Sequence, residues 1–388
     1  NCAKKWDLSQ CSKKLVWFGK GELMRIGFFT DTFLPQKDGV VCSIESFGSR
    51  LAKKGHEMHV FAPKTSVKKH MGMQIHSAPA ITFWAYPDYQ IGIPLGTPVP
   101  ELDIVHTHGP FSMGWFGLRQ ASKQHIPKVT TFHTLISGYV DYLSKHGQSV
   151  TRKMAEKYMY FHYNYYDKII CPSKAIQKTL PDDLREKSVV IPTGIDTDYL
   201  KPTNQQSARK KLKLDSYGRV YLSLGRLCHG KNIEMMIRAS KDFLKKGDIL
   251  VIAGKGPLAE ELKALADRTK TKGKITFVGF VPDSDKPLYY SAADAFIIAS
   301  LTETQGIVVT EALACGCPVM GADALAIPEM IDVGRDGVIF KPDEKSLAKA
   351  VKSFKPSRKM RAHARSHALK FSEKKMTDKL EKLYKSLI

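Results

Sequence analysis

The sequence predicts an α/β fold made of two doubly wound parallel-sheet domains with a cleft between them. Three observations predict it. Short apolar runs alternate with helical spacings along most of the chain. The alternation restarts after a polar stretch at residues 199–218. The length, 388 residues, exceeds what one hydrophobic core usually organises.

Arg25 to Thr30 is a short apolar run before a polar loop and reads as a buried strand. Ser43 to Lys54 carries apolar residues at 44, 47 and 51, which is helical spacing. Gly55-His56-Glu57 ends that helix, and Met58 to Ala62 is the next strand. The pattern continues with Ile104-Val105-His106, a helix over about 112–124, Lys128 to Phe132, Ile169 to Pro172 and Val189 to Pro192. The second half repeats it with Val220–Leu224, Ile249–Ala253, Ile275–Val278, Ala295–Ile298 and Pro318–Met320. Strands alternating with helices make parallel sheets, whose ligands bind outside the carboxyl ends of the strands. The linker is expected at residues 199–218. No internal repeat of solenoid length is visible.

Composition narrows the class. Hydrophobic residues make up 43% and charged residues 25%, as in ordinary globular domains. No apolar run reaches the 18 or so residues a membrane span needs. Residues 1–23 resemble neither a signal peptide nor the body of the fold, because Leu15-Val16-Trp17-Phe18 is too short for an apolar core. The first residue is Asn, so the native start is expected at Met24, with residues 1–23 an extension outside the fold. Seven cysteines, an odd number with no C-x-x-C pair, argue against a disulfide framework and a structural zinc site, and suit a reducing cytoplasm.

The net charge is +22, and from Lys341 to Ile388 there are 15 Lys/Arg against 5 Asp/Glu. Such a balance suits nucleic acid, an anionic membrane or an acidic substrate, and equally a solvated basic helix. Neither a base-stacking platform nor a glycine clamp on a known module is evident, so no specific nucleic-acid partner is expected.

The chemistry concentrates in Thr302-Glu303-Thr304-Gln305-Gly306-Ile307-Val308-Val309-Thr310-Glu311, followed by Cys315-Gly316-Cys317-Pro318-Val319. A helix from about Gly306 would present unpaired N–H groups, which attract phosphate. Glu303 would stand in the loop before it and Glu311 further along it. That geometry suits a nucleotide-sugar, one acid on the sugar and the other on the ribose. The same spacing also suits a surface helix with two solvated glutamates. Arg226 and Lys231 follow a strand end at Leu224-Gly225. Two cations there would stabilise the charge growing on a diphosphate leaving group, or simply be solvated. Gly39 in Asp38-Gly39-Val40 allows close backbone approach to a ligand, or is an ordinary turn glycine. His106, His108 and His133 lie at strand ends, where they face the cleft or serve as satisfied structural groups. His-x-His hints at a metal, but a third ligand is not evident.

Taken in order, these segments, with Ile191-Pro192-Thr193-Gly194-Ile195-Asp196 and Gly225-Arg226-Leu227, resemble the E-x7-E family of retaining glycosyltransferases with the GT-B fold. The similarity runs from about Met24 to Phe371. It implies two Rossmann-like domains: residues 24–200 for the acceptor and 201–371 for the nucleotide-sugar. Residues 372–388 would form a helix crossing back to the first, with Met376, Leu380, Leu383 and Leu387 on one face. It implies that Gly39, Arg226, Lys231, Glu303, Gly306, Ile307, Val308 and Glu311 bind the donor. His133 would contact the donor sugar, and His133, Glu303, Arg226 and Lys231 form the catalytic group. His108 would border the acceptor, with Tyr139 and Tyr142. In the favoured mechanism of the family the acceptor attacks from the leaving-group face, and the departing phosphate takes its proton. No Asp-x-Asp is placed to bind a divalent ion, so transfer without metal or other cofactor is expected. The family commonly has two glycines at the first loop, and Asp38 stands in place of one.

Tyr86-Pro87-x-Tyr89-x4-Pro94, the His106-Thr107-His108 and Phe132-His133-Thr134 motifs and the Tyr139 to Tyr142 tail look most like diacylglycerol glucosyltransferases. Residues 145–166 mix Lys145, Arg152, Lys153 and Lys157 with six aromatics, fit for an anionic bilayer surface or for a domain core. The expected enzyme moves a hexose, glucose, from a UDP-sugar to diacylglycerol, as a peripheral protein on the inner face of the plasma membrane. Phosphatidylinositol, another lipid or a soluble glycan remain as acceptors, and a UDP-sugar epimerase remains as a rival.

Overall fold

The computed structural model describes residues 23–82, 90–133, 135 and 148–388, with side chains from 153 in the last segment. Tyr139 and Tyr142, the Phe83 to Tyr89 run and Lys145 lie outside the described residues.

The first half supplies β1 Arg25–Phe29, β2 Glu57–Pro63, β3 Lys69–His70, β4 Met73–Ala78, β5 Ala80–Thr82, β6 Gln90–Gly92, β7 Ile104–Thr107, β8 Lys128–Thr131, β9 Lys168–Cys171 and β10 Ser188–Val190. Eight of these form one sheet in the order β10-β9-β8-β7-β1-β2-β4-β3, while β5 and β6 pair as a separate ribbon. The second half supplies β11 Val220–Leu224, β12 Ile249–Ala253, β13 Lys274–Gly279, β14 Ala295–Ile298, β15 Val319–Ala322 and β16 Gly337–Phe340. They form a sheet in the order β13-β12-β11-β14-β15-β16, all pairs parallel. In both sheets the chain reverses direction beside the first strand, which opens a crevice at the strand carboxyl ends.

The central strands are buried along almost their whole length, polar residues such as His106 and Thr107 included, because helices cover both faces. Phe28 in β1 sits opposite Val60 of β2 and His106 of β7. Strands β3 to β6 lack continuous apolar runs, and the edge strand β16, Gly337-Val338-Ile339-Phe340, is an apolar run that was not among the expected strands. In β4 only Met73, Ile75 and Ala78 are buried.

The helix Gly39–Lys53 buries Val41, Ile44, Phe47 and Leu51 against the first sheet. The helix Glu373–Lys385 packs back on it and adds Met376, Leu380 and Tyr384 to that core. The chain thus crosses between the halves twice, and the two crossings pair. Ile195 N–H donates to Phe371 O at 2.9 Å, and Glu373 N–H to Ile195 O at 2.9 Å. A Cβ on Gly194 would stand 2.6 Å from Glu373 Cα, so only glycine fits there.

The polar stretch at 199–218 is not a free linker. Its helix Gln205–Lys211 packs on the second half, where Arg209 donates to Asp294 at 2.7 Å and to Ala292 O at 2.9 Å. Polar composition there reflects a helix held by hydrogen bonds; the passage between sheets is the short 194–196 segment beside Glu373.

Candidate active site

The loop after β14 carries Glu303 and leads into the helix Ile307–Ala314. Gly306 caps that helix at φ 80° and ψ 57°, a left-handed conformation that favours glycine. No side chain caps the helix start, and the first N–H groups of a helix lack intrahelical partners. Four hydrogen bonds tie this loop to the other half. Thr304 Oγ1 donates to His133 O at 2.9 Å, and Ser173 Oγ donates to Thr304 O at 2.8 Å. The buried Gln305 amide brackets Thr193, accepting its N–H at 2.7 Å and donating to its O at 2.9 Å.

Lys231 ends the short turn His229–Lys231 after β11, and its ammonium pairs with the Glu303 carboxylate. Gly230 O fixes that turn by accepting Ser300 Oγ at 2.9 Å and Leu301 N–H at 3.1 Å. Arg226 stands just upstream, where Gly254 and Gly256 let the loop after β12 press against Gly225 and Leu227. A Cβ on Gly254 would lie 1.9 Å from Gly225 O.

Glu311 is only 6% exposed. Its carboxylate accepts from Lys286 Nζ at 2.9 Å and from Tyr290 OH at 2.9 Å. Burial works against the Lys286 charge, but Glu311 and Asp283 together hold its pKa above the ordinary lysine value. Both glutamates of the signature are therefore paired with lysines in this state, a feature the eight-residue spacing does not announce. Lys286 and Tyr290 carried one signal: they lie four apart, on one face of the helix Lys286–Ala292, and a lysine at a helix start opposes the dipole unless paired.

Gly39 opens the helix Gly39–Lys53. A Cβ there would meet only Ile307 Cδ1, at 4.0 Å, so Gly39 faces the start of the signature helix across the cleft. Asp38 accepts from Val40 and Val41 N–H, both at 2.9 Å, and from Thr32 Oγ1 at 3.1 Å. At φ −136° and ψ −175° it is extended, which any residue adopts. The loop thus forms without a first glycine, because Asp38 caps the helix instead. Burial raises the Asp38 pKa, while the helix N–H groups and the nearby Arg226 charge oppose that rise.

His106, His108 and His133 stack, with ring centroids 4.2 Å and 5.2 Å apart along the series. His108 Nδ1 and His133 Nε2 share a hydrogen bond of 3.0 Å. His106 bonds Tyr384 OH at 2.5 Å and Thr131 Oγ1 at 2.7 Å. Burial lowers all three pKa values, His133 to about 3, so the imidazoles are neutral near pH 7. His108 Nε2 is buried without a hydrogen-bond partner among the described residues. Tyr384, which anchors the stack from the last helix, was missed; it continues the Met376–Leu380 stripe at spacing four. Among the described residues, no group of three or more His, Cys, Asp or Glu could hold a metal ion. Nor is any described helix long and apolar enough to cross a membrane.

The two sheets, the cleft and this loop define a GT-B glycosyltransferase. The family described as Glycosyltransferase Family 4 matches residues 37–199, and that described as Glycosyl transferases group 1 matches residues 204–371. An alpha-monoglucosyldiacylglycerol synthase of Streptococcus pneumoniae is 35% identical over 312 residues, 76% of this chain and 70% of that one. The synthase of the same name from Acholeplasma laidlawii is 32% identical over 346 residues, 83% of this chain and 86% of that one. Among solved structures, sucrose-phosphate synthase from Thermosynechococcus elongatus has a TM-score of 0.73 at 21% identity, covering 94% of this chain and 99% of that one. HepE of Anabaena, in complex with UDP and glucose, has a TM-score of 0.73 at 17% identity, covering 94% of this chain and 100% of that one. The chain belongs to the glycosyltransferase family that includes the alpha-monoglucosyldiacylglycerol synthases.

Proposed function

We propose that the protein is a retaining hexosyltransferase that moves glucose from UDP-glucose to diacylglycerol at a membrane surface. One observation carries the reading: the Lys231–Glu303 pair, Gly39 and the His133 carbonyl come from both halves and meet around the start of the helix that carries Glu311. The names of the two related synthases supply the sugar and the acceptor, and the uracil nucleotide is carried over from the family the sequence resembles.

In this reading Arg226 and Lys231 stabilise the charge that grows on the departing diphosphate, assisted by the N–H groups of Gly306, Ile307 and Val308. Glu303 orients the sugar hydroxyls, and its pairing with Lys231 links sugar position to diphosphate position. Glu311 holds the ribose. His133, neutral through burial, offers an uncharged contact to the sugar, and His108 borders the acceptor. The acceptor hydroxyl attacks from the leaving-group face and gives its proton to the leaving phosphate oxygen. Two fixed cations replace the charge that a divalent ion would supply, so transfer proceeds without metal.

The helix Gln148–Tyr163 and the turn after it divide their aromatics. Tyr163 and Tyr166 enter the core beside Met159, while Phe161 and Tyr165 stay exposed and cluster with Trp115 at centroid distances of 5.3 to 6.1 Å. Met154 is exposed, as are Lys153 and Lys157. An aromatic patch beside lysines suits an anionic bilayer, consistent with a peripheral enzyme on the inner leaflet.

The test is incubation of UDP-glucose with diacylglycerol in anionic vesicles containing EDTA, read by mass spectrometry. Hexosyl-diacylglycerol is the expected product. UDP release without a glycolipid would reject the acceptor, and activity only after metal addition would reject metal-independent transfer.

A further inference from the structure

A chain of alternating charges joins the Gly39 loop to Glu311. It begins at Glu45 on the helix Gly39–Lys53, whose carboxylate lies 3.1 Å from Lys37 Nζ. Lys37, two residues before Gly39, pairs across the cleft with Asp283. Asp283 lies 2.9 Å from Lys286 Nζ, and Lys286 lies 2.9 Å from Glu311 Oε1. The fully buried Tyr290 closes the chain with its hydroxyl on Glu311 Oε2. Burial opposes charge at Lys37, Lys286 and Asp283, but their partners win, raising both lysine pKa values and lowering that of Asp283. An isolated surface ion pair contributes little, but the Lys286–Glu311 end of this network is sheltered, at 15% and 9% exposure, and fixes geometry there, while Lys37 and Asp283 form its more exposed outer end.

We infer that Lys286 is a positioning residue for Glu311, and that Lys37 and Asp283 tie it to the Gly39 loop of the other half. The inference rests on the reading that Glu311 holds the ribose. Lys286 and Tyr290 each take one lone-pair direction of the carboxylate and fix its rotamer, which leaves acceptor capacity for two ribose hydroxyls. Because Lys286 also holds Asp283, and Asp283 holds Lys37, the ribose contact and the register of the two halves share one network.

The experiment compares calorimetric affinities for UDP and 2′,3′-dideoxy-UDP, together with KM and kcat for UDP-glucose. Wild type should prefer UDP, and Glu311→Gln should lose that preference; equal binding by wild type overturns the ribose reading and this inference with it. Given the preference, Lys286→Met should cut it about tenfold and raise KM more than it lowers kcat. Lys286→Arg should restore most of it. Lys37→Met should raise KM about threefold in wild type and add nothing in the Lys286→Met background. Undiminished preference in Lys286→Met, with Glu311→Gln impaired, overturns the positioning role while sparing the ribose reading. Multiplying effects of Lys37→Met and Lys286→Met overturn the tie between the halves, and Lys37→Met, at the cleft end, tests that tie by itself if Lys286→Met fails to fold.

Discussion

At the scale of the residue, the site depends on a few carboxylates whose partners differ in kind. Among the described residues the Glu303 side chain pairs with Lys231, and in the proposed mechanism it acts only when sugar is present. Glu303→Ala should therefore lower transfer at least about 100-fold while leaving the melting temperature within a few degrees of wild type. Steady-state rates and calorimetry check this together, and wild-type turnover would contradict the assignment. Gly306 is constrained by backbone instead. Alanine at φ 80° costs about 1–2 kcal/mol, and its Cβ would stand 3.4 Å from Val309 Cγ2. Gly306→Ala should lower kcat/KM about tenfold through displacement of the 302–306 loop. Glu303, Glu311, Arg226 and Lys231 could be proposed from the sequence because they sit in short motifs. Asp31 and Tyr384 were not, because their partners lie 80 and 278 residues away and no local pattern announces them.

At the scale of the element, the helix Ser112–Gln124 illustrates a cap borrowed from afar. Its own N-cap, Phe111, offers no side-chain hydrogen bond. The buried Asp31 carboxylate accepts Phe111 N–H at 3.1 Å and Met113 N–H at 2.9 Å. Burial raises its pKa to about 6. Asp31→Ala should cost about 2 kcal/mol in chemical denaturation, the usual loss for a removed cap with buried donors left unpaired. The long strands and helices were readable from period alone, since both faces of the sheets are covered. Strands β3, β5 and β6 were not, being short and at an edge or in a separate ribbon, and β4 was not, because only Met73, Ile75 and Ala78 of its six residues are buried. The helix Gln205–Lys211 was hidden in a polar stretch because hydrogen bonds and an ion pair, more than apolar area, hold it to its domain.

At the scale of the whole molecule, the described residues join the two halves through the 302–306 loop, the charge chain through Lys37 and Asp283, the Glu329 carboxylate, which accepts Lys174 N–H at 2.8 Å, and the paired crossings at Ile195 and Glu373. The crossings carry a pH signature. Burial, then the Asp196 carboxylate, raises the Glu373 pKa from 4.5 to about 7, against the pull of Arg50 and Lys53. Between those values the folded state holds a proton that the unfolded state releases, so this contribution falls as pH rises from 4.5 through about 7. Glu373→Gln should match wild type in melting temperature near pH 4 and exceed it at pH 8. The reverse trend in a calorimetric pH series would contradict this account of the crossing. The two-sheet plan was legible because its grammar repeats; how the halves touch was not, because each contact joins residues far apart in the chain.

The central claim is that a hexose passes from UDP to diacylglycerol with its anomeric configuration kept. The most direct measurement is the proton NMR spectrum of the glycolipid made from UDP-glucose, read at the anomeric proton. The account predicts an α-glucosyl-diacylglycerol, with the small coupling constant of an axial linkage. A β-linked product, or glucose released without any glycolipid, would contradict it.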